Sequence, residues 1–181
     1  MKKLVAILLV AMLAVTMFSG CSSSEDWEYI EGKGELVVGI TLFAPMNYYK
    51  DEAKKDLVGF ETEFAQAVCA QLGIKAKFQV IEWNSKETEL KAKNIDCVWN
   101  GMTLTDEVKA GMDCSEPYCN NQQVVIVPIK EAENYQTAED CKELSFAVEA
   151  GSAGKAMAEE NGFEFTEVKD QASALFEVSS G

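Results

Sequence analysis

The sequence predicts an α/β fold: a β-α-β-α-β unit followed by a second, smaller α/β unit. Three observations predict it. Apolar runs at residues 35–40, 76–81 and 95–99 alternate with helical patterns, the order that builds a parallel sheet with right-handed crossovers. Two turns of small residues, Gly101-Met102-Thr103 and Gly151-Ser152-Ala153, each follow an apolar run and lead into a helix start. Between them, after Pro128, residues 129–138 shift to polar and irregular sequence, which marks a change of unit.

The chain opens with Met1-Lys2-Lys3, a short positive segment. Residues 4–18 are apolar and interrupted only by Thr16. That run is too short for a comfortable bilayer span and small residues follow it, so it reads as an export signal. Residues 22–26 are polar, as a tether would be.

Within the first unit, Glu35-Leu36-Val37-Val38-Gly39-Ile40 reads as a strand. An irregular loop follows, because Pro45 forbids a continued central strand. Phe60, Phe64, Val68 and Leu72, spaced by four, form one helical stripe that is expected to face the core, and Gly73 stops that helix. Residues 76–81 alternate like a strand. Asn84 with Glu87 forms a candidate capping box for a short helix carrying Leu90. The buried strand at Ile95 ends in Asn100-Gly101-Met102-Thr103, and Thr105-Asp106-Glu107 then starts a helix, with a Thr cap and acids facing its positive end. Three strand ends thus present Phe43, Trp83, Asn100, Gly101 and Thr103 at one sheet edge, where ligands bind in open α/β sheets. Each aromatic taken singly also fits a core or rim role, and each turn fits a plain strand-to-helix connection.

Gln123-Val-Val-Ile-Val127 reads as a strand ended by Pro128. Residues 144–148 form the next strand. Ser152 caps a helix that ends at Asn161-Gly162, residues 163–168 alternate as a strand, and Asp170 caps a last helix with Ala174, Leu175 and Val178. A helix start with free N–H groups and a hydroxyl suits a carboxylate or phosphate. Two such turns facing each other across a hinge make a clamshell cleft. The second unit then holds two strands and two helices, the expected content of a truncated lobe.

The charge excludes some partners. The chain carries 16 Lys and no Arg against 30 acids, a net charge of −14, with no basic cluster for nucleic acid. It has no His, so no mechanism can use imidazole. The six cysteines show no metal-like pair, and neither a metal nor a cofactor is expected. Cys69 and Cys97 fall in apolar segments and read as small buried hydrophobes, whereas Cys114 and Cys119 are close enough in sequence to bridge.

Several motifs together resemble the amino-acid family of periplasmic-type solute-binding proteins of ABC importers. They are Gly34-x-Leu36-Val37-Val38-Gly39, Phe43-Ala44-Pro45, Val58-Gly59-Phe60-Glu61-x-Glu63-Phe64-Ala65 and Asn94-Ile95-Asp96. They continue with Gly101-Met102-Thr103-Leu104-Thr105-x-Glu107, Asp113-x-Ser115-x-Pro117-Tyr118 and Val148-x-Ala150-Gly151-Ser152. Phe18-Ser19-Gly20-Cys21 resembles a bacterial lipobox, with Phe18 in place of the usual Leu; a plain secretory signal with a structural Cys21 is the alternative.

The resemblance implies a two-lobed, periplasmic-binding-protein-like clamshell. Its expected divisions are a lipoprotein signal peptide at 1–20, a lipidated tether at 21–33, a first lobe at 34–127 and a partial second lobe at 128–181. It implies that Phe43 packs on the ligand side chain and that Trp83 lines the same wall. It implies that Asn100, Gly101 and Thr103 hydrogen-bond the amino-acid head group, and that Gly151, Ser152 and Ala153 meet its carboxylate. Val108 stands where the family usually has a carboxylate-gripping Arg, and the Asp that meets the α-amino group is expected beyond Gly181. The implied function is delivery of an amino acid or similar small polar solute to importer membrane subunits, by a protein anchored outside the cytoplasm through lipid on Cys21, without catalysis. The alternatives are an exported sensor or interaction lipoprotein on the same fold, and an enzyme resembling cyclohexadienyl dehydratase.

Overall fold

The computed structural model describes residues 23–181. The expected signal peptide and the lipidation site at Cys21 lie outside the described residues. The chain divides into two compact units, one ending at Glu35 and one spanning Leu36–Gly181.

In the first unit, helix α1 (Ser23–Lys33) occupies most of the stretch expected to be a polar tether. Its helicity has local causes. Glu25 and Asp26 lie in the first turn and Lys33 in the last, matching the helix dipole, and Gly34 closes the end with a positive φ of 71°.

In the second unit, strand β1 (Glu35–Ile40) is the centre of a three-stranded sheet, flanked by β4 (Lys75–Val80) and β5 (Cys97–Val98) in the order β4-β1-β5. β1 and β5 run parallel, with Val38 opposite Cys97 and Gly39 opposite Val98. A central strand covered on both faces must be apolar throughout, and Val38 and Ile40 are completely buried. Gly39 is the exception in size. A Cβ there would lie 2.6 Å from Ile95 Cδ1 and 3.2 Å from Ile81 Cδ1, so these two isoleucines close over the strand where a side chain would otherwise stand. They form the core with Val37, and Leu90 and Val98 pack against it.

A hairpin not foreseen in the sequence, β2 (Tyr48–Tyr49) antiparallel to β3 (Leu57–Val58), precedes helix α2 (Phe60–Gln71). The helix begins at Gly59, whose φ of 124° no L side chain tolerates well; a Cβ there would strike the Met46 carbonyl. The end at Gly73 is as expected. Ile74 N–H reaches back to Cys69 O, the two-bond cap of a left-handed C′ residue.

The buried face of α2 differs from the expected stripe. Thr62, Ala65 and Cys69 face inward with Glu61, while Phe60 and Leu72 remain 51% and 49% exposed. A spacing of four drifts about 40° per step around a helix of 3.6 residues per turn, so four such residues cannot share one narrow contact line. Polar partners also set the orientation: Thr62 Oγ1 donates to Asn47 Oδ1 at 2.8 Å.

After β4, a 3₁₀ turn (Trp83–Ser85) leads into α3 (Lys86–Lys91), capped at Ser85 without a side-chain bond. The Asn84–Glu87 capping box is therefore not formed. The 3₁₀ turn displaces the helix start, and Glu87 pairs with Lys91 at 3.0 Å instead. Helix α4 (Asp106–Gly111) follows β5 and is capped as expected, with Val108 N–H donating to Thr105 Oγ1.

The expected strand at 123–127 is absent. Among the described residues no strand lies beside it, and a strand exists only through its partner's ladder. Val124 is 71% exposed and Ile126 56%. Two 3₁₀ turns (Ile129–Asn134 and Glu139–Cys141) occupy the irregular stretch. Then β6 (Ser145–Glu149), α5 (Ala153–Glu160), β7 (Glu164–Val168) and α6 (Gln171–Ser180) complete the unit. β6 and β7 pair in parallel over five residues. Ser152 caps α5 through Lys155 N–H and Asp170 caps α6 through Ser173 N–H, both as the sequence indicates. Among the described residues no helix is long and apolar enough to cross a membrane.

Candidate functional site

The first turn rests on a buried polar brace. Asn100, at the carboxyl end of β5, accepts at Oδ1 from Thr41 N–H (3.0 Å) and Asn47 Nδ2 (2.8 Å), and its Nδ2 donates to Thr41 Oγ1 at 2.7 Å. Asn47 in turn accepts from Thr62. All four residues are buried. Asn100 is expected from the resemblance to contact a ligand head group, but both Oδ1 lone pairs and one Nδ2 donor are consumed internally, so its side chain positions the turn.

Beyond the brace the turn is more open. Gly101 has a positive φ of 58°. Thr103 Oγ1 accepts from Asn121 Nδ2 at 2.7 Å and from Gln123 Nε2 at 3.3 Å, and Asn121 Nδ2 lies 3.5 Å from Gly101 O. Val108 is half-buried on α4, and Lys109 beside it is exposed.

The second turn lies close to residues of the first α/β part. Gly151 adopts φ 69°, and a Cβ there would lie 2.9 Å from Asn84 Cα. Gly151 O accepts from Lys86 Nζ at 3.4 Å. Gln123 is the other link: its Oε1 lies 3.4 Å from a Cβ position at Gly154, while its Nε2 serves Thr103. Ser152 Oγ is committed to its capping bond with Lys155 N–H, 3.1 Å, and Ala153 is the first residue of α5.

Trp83 is buried, and Lys86 covers it, with Nζ 4.9 Å from the ring centroid. Phe43 is half-buried and sits in a small loop where its N–H donates to Asn47 O at 2.7 Å. The structure thus gathers Trp83, Gly101, Thr103, Gly151, Ser152 and Ala153 through Lys86 and Gln123, while among the described residues no hydrogen bond or ring pair links Phe43 to them.

Lys86, Asn121 and Gln123 are the residues that the sequence reading missed. Lys86 stands three positions after Trp83, one helical step, which is the signal that could have found it. Gln123 was hidden inside an apolar run read as a strand.

Glu149 lies beneath the second turn, 3% exposed. Burial raises its carboxyl above the ordinary value; Asp170 reinforces the shift, while the Thr41 and Gln171 side chains and the Lys86 charge oppose it. An open cleft of about 200 Å³ is bounded by Thr41, Tyr49, Lys54, Glu82, Lys169 and Asp170, none of which belongs to either turn. Among the described residues no group of three potential ligands could hold a metal ion. Cys114 and Cys119 are exposed free thiols, and the bridge that their spacing allows is not formed. Cys69 is buried as expected; Cys97 is partly exposed, with its thiol pushed up to about 12 by burial.

The family model for bacterial extracellular solute-binding proteins, family 3, matches residues 36–177. The chain is 31% identical over 174 residues to the arginine-binding extracellular protein ArtP of Bacillus subtilis, covering 93% of this chain and 66% of that protein. It is 30% identical over 150 residues to the L-cystine-binding protein TcyJ of Escherichia coli, covering 80% of this chain and 56% of that protein. Among solved structures, an amino acid ABC transporter substrate-binding protein from Streptococcus pneumoniae bound to L-arginine matches with a TM-score of 0.79 and 26% identity, over 86% of this chain and 67% of that one. An ancestral amino acid-binding protein, a precursor of cyclohexadienyl dehydratase, matches with a TM-score of 0.78 and 28% identity, over 85% and 69%. The chain therefore spans between about half and two thirds of the length of these curated relatives.

Proposed function

We propose that this chain, which belongs to the bacterial extracellular solute-binding proteins, family 3, binds an amino acid or similar small polar solute and delivers it to the membrane subunits of an ABC importer. In this reading residues 34–127 and 128–181 act as two lobes, and the ligand is held by closure about the segment near Val127. The protein works outside the cytoplasm, anchored by lipid on Cys21. It needs no cofactor and carries out no catalysis.

One observation carries the reading. The two small-residue turns, each opening a capped helix, come together through Gln123, and Lys86 ties Trp83 to the second turn, so polar groups from both α/β parts meet in one place. That arrangement supports recognition of a small polar molecule better than it supports an active site. Glu149, the acid that an enzyme reading would use, is buried beneath the turn.

Val108 favours a second reading, a sensor or interaction lipoprotein on the same fold, because no guanidinium is available to grip a carboxylate. A thermal-shift screen of the chain against the proteinogenic amino acids separates the two. A ligand at about 100 times its dissociation constant adds about 2.7 kcal/mol of stability. A clear shift with one class of amino acid is the expected result. A cooperative melt that no amino acid moves would overturn the solute-binding reading and favour the sensor.

A further inference from the structure

We propose that Lys86 sets the charge selection of the cleft: its ammonium claims the Trp83 face, admits a ligand whose variable group is anionic, and turns away cationic ones. The inference rests on the solute-binding reading and names the ligand class for that site.

Lys86 is a cation placed where Trp83 of the first α/β part meets the second turn. Its Nζ lies 4.9 Å from the Trp83 ring centroid and donates to Trp83 O at 3.3 Å and to Gly151 O at 3.4 Å. One bond is local and the other crosses to the second turn. Both acceptors are neutral carbonyls. Glu87, which is paired with Lys91, acts on Lys86 through its field, as do Glu107 and Glu149, and none of the three is hydrogen-bonded to its ammonium. An ammonium has three N–H donors. Two carbonyls and a ring leave one N–H donor, with no carboxylate in direct contact, for a further partner. Burial pulls the Lys86 pKa below its ordinary value and outweighs the opposing fields of Glu87, Glu107 and Glu149, none of which is in direct contact with the ammonium. An anionic ligand group would supply that partner.

A cationic side chain meets the opposite situation. A guanidinium or ammonium seeking the Trp83 face finds it already occupied by a like charge, and Gly151 O already engaged. An aromatic wall that favours a cation by cation–π attraction is here filled by the protein's own cation. The choice of ligand thus need not follow that of the arginine-binding relatives.

Isothermal titration of the full chain with L-glutamate, L-glutamine and L-arginine tests the inference, using wild type, Lys86→Glu and Lys86→Arg. The expected wild-type preference for L-glutamate over L-arginine is about tenfold or more. Lys86→Glu should reverse that preference, and Lys86→Arg, which keeps the charge, should retain it. Each variant is first shown to melt cooperatively like wild type. Wild type binding L-arginine as tightly as L-glutamate would overturn the inference. So would a glutamate-to-arginine ratio that stays within about threefold of wild type in Lys86→Glu. If none of the three amino acids binds wild type or Lys86→Arg, the selection inference falls, whereas the solute-binding reading falls only if the full amino-acid screen also gives no shift; the two failures are thereby distinct.

Discussion

Strand β1 shares only two registered pairs with β5, whereas β6 shares five with β7. Burial runs the other way. Around β1 lie Val38, Ile40, Ala65, Cys69 and Ile95, all nearly inaccessible; beside β6 and β7 the deeply buried residues are Ala158, Cys141, Glu149 and Asp170. The first part is held by interlocking side chains and the Asn100 brace. The second is held by a longer backbone ladder, two capped helices and the stacked pair Phe146 and Phe163, 4.6 Å between centroids. Two α/β parts of similar topology thus place their stability in different interactions, and the first should be far less tolerant of substitution.

The sharpest test of that contrast is Gly59→Ala. It forces an L side chain into a left-handed backbone and against the Met46 carbonyl, so it should cost about 3 kcal/mol or more; chemical denaturation followed by circular dichroism would measure it. Asn100→Ala comes next. It leaves Thr41 N–H and Asn47 Nδ2 buried without their acceptor and should cost about 2–3 kcal/mol. It should also weaken any ligand that uses the Gly101 turn, which titration of the folded fraction would report. A mild effect on both counts would break the comparison from the first side.

The second part offers smaller effects. Asp170→Ala removes the acceptor of Ser173 N–H, 2.7 Å, and of Ser173 Oγ, 2.6 Å. It should cost about 1 kcal/mol, read from the urea midpoint at unchanged slope. Glu149→Gln changes a pH dependence. Because burial raises this carboxyl above its ordinary 4.5, the folded state keeps a proton that the unfolded chain has already released. The folded state then binds more protons, and stability falls as pH rises from about 4.5 until the folded group itself ionises. Glu149→Gln should flatten that decline and be the more stable protein at neutral pH. Urea melts of the two proteins across the acid-to-neutral range would show parallel curves if Glu149 had no part in it.

Much of the fold was legible because the signals are local. Strands at 35–40 and 164–168 follow from apolar runs and alternation; Thr105, Ser152 and Asp170 cap because a side-chain oxygen two or three positions before a free N–H is sufficient cause. What failed depends on distant partners. The face of α2 is set by Asn47, which accepts from Thr62, and by Tyr118, whose hydroxyl donates to the Glu61 carboxylate at 2.9 Å. The apolar run at 123–127 has the composition of a strand and lacks a neighbour to pair with. Asn84 and Glu87 have the spacing of a capping box, but the 3₁₀ turn at Trp83–Ser85 moves the helix start. The site divides in the same way. The two turns could be found from Gly, Ser and Thr before a helix, while the inward commitment of Asn100 and the placement of Lys86 over Trp83 arise only when separate segments come together.

The Asn100 brace also has a kinetic consequence. Thr41 lies one residue past the end of β1, where a backbone amide would ordinarily trade its hydrogen with solvent within a frayed strand end. Its N–H is instead buried against Asn100 Oδ1 at 3.0 Å, inside a chain of side-chain bonds that reaches Thr62. Deuterium should therefore enter Thr41 as slowly as it enters the strand interior, and release of that amide requires the four side chains to part together. In exchange terms β1 extends one residue beyond its ladder, and the surface on which the Gly101 turn rests opens only when the whole first part opens.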